Sequence, residues 1–126
     1  MSGIAFDTDV VIDALQGVVP ARDELHRAVS PGNRAWISRM VWIEVTARAP
    51  QSARRGTERF LSGFAIDELD EEISARAADL CHERPSIQLT QSIILATALV
   101  RGRVLVTRNT KDFPANMPGI RIPYTL

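Results

Sequence analysis

Short apolar runs alternate with stretches of helical recurrence from one end of this 126-residue chain to the other. Gly3 to Phe6 reads as a strand, and Val10, Val11, Ala14 and Leu15 recur at helical spacing behind it until Gly17 stops the helix. Pro20 opens a second helix, whose apolar stripe is Leu25, Ala28 and Val29, and the turn Ser30, Pro31, Gly32, Asn33 ends it. Ala35 to Ser38 reads as a second strand. Met40 to Ala49 is helical, with Val41, Val45 and Ala49 in register and Pro50 closing it. Gln51 to Thr57 is polar and basic, a loop or frayed helix, before the apolar face of Phe60, Leu61 and Phe64. Ala65 to Leu69 is a third strand. Asp70, Glu71 and Glu72 open the next helix, where acids favour the positive end of the helix dipole. Ile73, Ala77, Leu80 and Cys81 form that helix's buried side, and Pro85 breaks it. Gln91 to Val100 is a strongly apolar helix terminated by Gly102, Val104 to Val106 is a continuous buried strand, and Ile120 to Ile122 is a last strand near the sheet edge. This alternation predicts an α/β fold with a mainly parallel sheet covered on both faces.

The length suits one domain, residues 1–126, with a sizeable core. Hydrophobic residues make up 45% and charged residues 24%, which argues against disorder. No apolar run is long enough to span a membrane. The acids Asp7 and Asp9 come too early for a signal peptide, so the expectation is a cytoplasmic protein. Cys81 is the only cysteine, which excludes an internal disulfide and any cysteine-based zinc cage; it reads as a small buried hydrophobe. His26 and His82 lie on helices and read as surface residues. The formal net charge is zero, so no broad field draws in nucleic acid and a local patch must do so. Fourteen of the fifteen basic residues are arginine, a residue suited to bidentate phosphate contact, and Arg48, Arg54, Arg55 and Arg59 lie close together in the chain.

Asp7 follows the first strand, at the carboxyl edge where ligands bind in open parallel sheets. Taken alone, an acid there can equally cap the next helix. Glu44 sits amid Trp42, Ile43 and Val45, where a carboxylate is costly to bury unless paired or metal-bound. Asn109 and Asp112 follow the strand Val104 to Val106, so their side chains can turn over the same edge as Asp7, and Thr107 can hold a carboxylate there by a hydrogen bond. Clustered carboxylates without histidine or cysteine favour Mg²⁺ or Mn²⁺ over zinc. The matching chemistry is metal-assisted attack of water on a phosphodiester.

On these residues the chain resembles the PIN-domain nucleases, and within them the small bacterial toxins of VapBC-type toxin–antitoxin pairs. FDTDVVIDAL looks like the family's opening motif, with Asp7 as its first acid, and SRMVWIEV looks like the second, carrying Ser38 and Glu44. LTQSIILATALVRGRVLVTRNTKDF looks like the long C-terminal motif. The family usually places its third acid where this chain has Gln91, whose amide oxygen can hold a metal or a water but brings no negative charge. In the last motif an acid falls at the Asn109 position in some members, and Asp112 matches a further acid after it. Asp9 stands where the family more often has asparagine and restores some of the missing charge.

The resemblance implies a three-layer α/β/α sandwich and a Mg²⁺- or Mn²⁺-dependent ribonuclease. Its implied catalytic and metal-holding residues are Asp7, Glu44 and Asp112, supported by Asp9, Ser38, Gln91, Thr107 and Asn109. It also implies an RNA substrate, a homodimer, and a cognate antitoxin inserted into the active-site groove, with Arg48, Arg54 and Arg55 gripping RNA phosphates or antitoxin acids. Two other readings remain. Gln91 allows a PIN-like domain that has lost turnover and only binds RNA or a protein. Asp7, Asp9 and Val11 also fit the start of haloacid-dehalogenase-like phosphatases, with Asp7 as nucleophile and Asp9 as acid/base, although the only later lysine is Lys111 and no paired acidic motif follows.

Overall fold

β1 (Ile4–Phe6) lies at the centre of a five-stranded parallel sheet in a computed structural model that describes residues 3–114 and 116–125. β2 (Ala35–Ser38) flanks β1 on one side and β3 (Ala65–Asp67) lies beyond it, while β4 (Val104–Val106) and then β5 (Ile120–Arg121) lie on the other side, giving the order β3-β2-β1-β4-β5. The register sets Ile4 beside both Ala35 and Val104, and Phe6 beside Val106. As a result β1 and β4 end level with each other.

α1 (Thr8–Leu15) and α2 (Val19–Val29) connect β1 to β2, and α3 (Arg39–Arg48) and α4 (Arg54–Leu61) connect β2 to β3. α5 (Glu71–Glu83) and α6 (Leu89–Arg101) return the chain from β3 across the sheet to β4. Parallel crossovers are right-handed, so this reversal of direction carries α5 and α6 to the opposite face and makes three layers. α1 packs on α2 and α3, and α5 packs along α6. The expected parallel α/β sandwich is therefore present.

Apolar side chains from every layer meet on the sheet. Phe6, Ile37 and Leu105 from the strands, Val10, Val11, Val41 and Val45 from α1 and α3, and Ile73, Ile94 and Leu95 from α5 and α6 are essentially solvent-free. Burying each stabilises the fold by about 1.5–3 kcal/mol before the entropy of ordering is subtracted. Phe64 packs edge-on against Phe6 and Phe60, with ring centroids 6.3 and 5.8 Å away. Gly102 ends α6 in the left-handed region at φ 70°, where a side chain would be strained.

Some boundaries differ from the sequence reading. Gln51 to Thr57 is ordered helix, a 3-10 turn at Gln51–Ala53 running into α4 at Arg54, because Thr57 and Leu61 give even this arginine-rich stretch a buried side. β3 stops at Asp67 and not at Leu69, because Asp67 pairs with Arg103 and Asp70 already caps α5. α6 starts at Leu89, which puts Gln91 inside its first turn. β5 ends at Arg121, one residue short. Cys81 is only half-buried, with its Sγ 3.4 Å from Ser92 Oγ. His26 and His82 are exposed, as expected.

Candidate active site

Asp7 continues the ladder of β1, its backbone N–H donating to Val106 O at 2.9 Å, and its side chain begins α1 as the N-cap. The capping reading of this residue is therefore met. The carboxylate is almost wholly buried, at 1% exposure. Oδ1 accepts from Thr8 N at 2.8 Å and Oδ2 accepts from Thr107 Oγ1 at 2.6 Å. Burial pushes the Asp7 carboxyl above its ordinary range; these two hydrogen bonds pull it back, and the nearby charges of Asp9 and Glu44 push it up again. No arginine or lysine among the described residues pairs with it. A buried anion with acidic neighbours and no cationic partner is costly.

Hydrogen bonds extend from Asp7 in two directions. On one side Thr8 Oγ1 donates to Glu44 Oε1 at 2.6 Å, tying α1 to α3. Glu44 Oε2 lies 3.8 Å from Arg48 Nη2, and Arg48 Nη1 donates to Asp9 Oδ1 at 3.2 Å. On the other side Thr107 Oγ1 accepts from Asn109 N at 2.9 Å. Asn109 Nδ2 donates to Gln91 Oε1 at 3.2 Å and to Asp112 Oδ2 at 3.1 Å, while Asn109 Oδ1 accepts from Asp112 N at 3.1 Å. Asp112 is buried, and Arg84 donates to its backbone carbonyl.

Hydrogen bonds thus link Asp7, Glu44, Gln91, Thr107, Asn109 and Asp112, and the Arg48–Glu44 ion pair adds Asp9, all candidates nominated from the sequence. Ser38 stands outside it: its Oγ accepts from Val41 N at 3.2 Å and caps α3. Arg54 also lies outside, paired with Glu58 at 2.9 Å, and Arg55 is exposed. Arg48, read as a contact for RNA or antitoxin, is held here by the site's own acids. Two participants escaped the sequence reading. Thr8 carries no charge to single it out in the sequence, and nothing there marks Arg84 as the anchor of the Asp112 loop.

Among the described residues no three His, Cys, Asp or Glu side chains gather closely enough to hold a metal ion by themselves. The acceptors that Thr8, Thr107 and Asn109 link are all oxygens, carboxylates from Asp7, Glu44 and Asp112 and the amide oxygen of Gln91, and among the described residues Asp7 has no cationic partner. That chemistry fits a hard divalent cation.

The model of the PIN domain family matches residues 4–116, nearly the whole chain. The chain belongs to the PIN domain family. Among this PIN domain's relatives, Ribonuclease VapC10 of Mycobacterium tuberculosis is 37% identical over 117 residues, covering 88% of this chain and 86% of the relative. A chain of a toxin–antitoxin complex from Klebsiella pneumoniae superposes with a TM-score of 0.86 at 35% identity, covering 98% of this chain and 99% of that one. DNA-bound VapBC from Salmonella typhimurium, at 24% identity and a TM-score of 0.77 over 97% of each chain, shares the fold. Membership of this family sets aside the phosphatase reading of Asp7 and Asp9.

Proposed function

We propose that this PIN domain is a Mg²⁺- or Mn²⁺-dependent endoribonuclease acting as the toxin of a toxin–antitoxin pair in the cytoplasm. The observation that carries the reading is Asp7, a buried carboxylate with no cationic partner among the described residues, linked through Thr8 to Glu44 and through Thr107 and Asn109 to Gln91 and Asp112. The identity to a protein named a ribonuclease supports the activity, and the similarity to a chain of a toxin–antitoxin complex supports an antitoxin partner.

Asp7, Glu44 and Asp112, with the amide oxygen of Gln91, would hold the cation, which when bound lowers the pKa of water and neutralises charge growing on the phosphate. The chain's own residues supply the positioning. Thr107 and the Thr8 N–H hold the Asp7 carboxylate, the Thr8 hydroxyl holds Glu44, and Asn109 holds both Asp112 and Gln91. Asp112 Oδ2 accepts from Asn109, and the Asp112 carboxylate would take the proton of the attacking water. Arg48, Arg54 and Arg55 contact phosphates of the RNA or acids of the antitoxin, and the active unit is a homodimer of one-domain chains.

Asp7→Asn is expected to abolish Mn²⁺-dependent cleavage of single-stranded RNA while the domain still melts cooperatively. The substitution removes a charge that burial already disfavours, so the fold survives it. Unchanged cleavage by the folded variant overturns the proposal. Gln91 favours a second reading, a domain that binds RNA without cutting it, because its neutral amide is already engaged by Asn109. Wild-type protein that binds RNA but does not cleave it in Mn²⁺ or Mg²⁺, with cleavage arising in Gln91→Asp, selects that reading.

A further inference from the structure

Arg48 closes one end of the acidic site from within. It lies one helical turn after Glu44 on α3, and its guanidinium reaches across to Asp9 in the first turn of α1. Glu44 has one oxygen on Thr8 and the other beside Arg48, so neither faces Asp7 free of a partner. The Arg48 side chain is about half exposed and its contacts are long, 3.2 and 3.8 Å, whereas the Glu44 side chain is largely covered, at 17% exposure. A weakly held cation on a covered acid is a replaceable one.

Resting on the proposed metal-dependent nuclease, we infer that Arg48 is the resident counter-ion of Asp9 and Glu44: it competes with the divalent cation for these acids and, once displaced, turns its guanidinium to an RNA phosphate. One residue then links cation loading to substrate grip. The guanidinium fork suits both partners, since it pairs with carboxylate and phosphate alike. Arg54 is held by Glu58 on its own helix, outside the network of site acids, and has no equivalent part.

The test is calorimetric titration of Mn²⁺ into wild-type protein, Arg48→Gln and Arg48→Lys at low salt, with melting curves with and without Mn²⁺. Removing the competitor is expected to tighten Mn²⁺ binding about two- to fivefold, the scale of an exposed ion pair, with lysine in between. The variant should melt below wild type without metal and level with it at saturating Mn²⁺. In parallel, affinity for a 2′-O-methyl RNA oligonucleotide, which resists cleavage, should rise more with Mn²⁺ in wild type than in Arg48→Gln. Unchanged or weaker Mn²⁺ binding in Arg48→Gln, or equal RNA gains in both proteins, overturns the inference and leaves the nuclease reading standing. Binding that appears only in Arg48→Gln supports it. No Mn²⁺ binding by any of the three proteins overturns both.

Discussion

Gln91 brings a neutral amide to the candidate site, and its surroundings define what a charge at that position would do. Its amide oxygen accepts from Asn109 Nδ2, which also donates to Asp112 Oδ2, so one amide group spans two acceptors. Asn109 and Asp112 hold each other by two hydrogen bonds that do not involve residue 91, so a shorter carboxylate there leaves them in place. Gln91→Asp is therefore expected to keep the fold and to tighten Mn²⁺ binding on the order of tenfold or more, since affinity for hard cations follows the number of charged ligands. Calorimetric titration reads this directly; equal affinities would mean that residue 91 lies outside the cation's reach. Asp7, Glu44 and Asp112 were legible as candidates in the sequence because acids beside apolar runs are chemically conspicuous. The role of Asn109 was less so, because a side chain that donates to two acceptors from different elements becomes visible only once α6 and the loop after β4 are in place. Arg48 could have been paired with Glu44 from their spacing of four along a helix, but its reach to Asp9 depends on how α1 and α3 pack.

The elements themselves were legible wherever apolar periodicity was strong, as in α1, α5 and β4, and were blurred where charge masked it. α4 has three arginines in eight residues, and only Thr57 and Leu61 are buried on its inner side, while Phe60 packs on Phe64, which in turn meets Phe6 of β1. β5 is two residues long, and its attachment relies partly on an ion pair. Arg121 Nε and Nη2 donate to the two carboxylate oxygens of buried Glu24 on α2, at 3.1 and 2.9 Å, and Arg27 adds a contact at 2.5 Å. Burial pulls the Glu24 carboxyl upward, but Arg121 and Arg27 outweigh it and hold it below the ordinary range. A depressed carboxylate contributes stability above its unfolded pKa, near 4.5, and that stability is lost as pH falls through the lower folded value. Arg121 is about half exposed, so solvent screening keeps the contribution small. Arg121→Gln should lower stability by about 1 kcal/mol at pH 7, and the gap to wild type should close below pH 4 in urea melts. A gap that persists undiminished in acid would assign the loss to packing of β5 and not to charge.

At the scale of the whole molecule, the parallel order followed from strand and helix alternation, while the placing of β1 and β4 side by side did not, since nothing in a single strand names its neighbour. That adjacency brings Thr107 to Asp7 and thereby builds the site. The charge balance has a separate consequence. Fifteen basic and fifteen acidic residues leave no net charge, so RNA affinity must come from local contacts and not from a long-range field. Arg48, Arg54 and Arg55 are the arginines proposed to meet phosphates, and Arg54 is partly neutralised by Glu58. Each phosphate neutralised on a single strand contributes about −0.7 to the slope of log affinity against log salt, so the slope should be no steeper than about −2. Fluorescence anisotropy with a labelled single-stranded RNA and the Asp7→Asn protein, which leaves the strand uncut, measures it between 50 and 200 mM salt, a range in which such contacts are well resolved. A slope steeper than about −4 would require about six phosphate contacts per bound strand, more than these three arginines supply. RNA would then lie across a wider cationic surface, such as one shared between two copies of the chain.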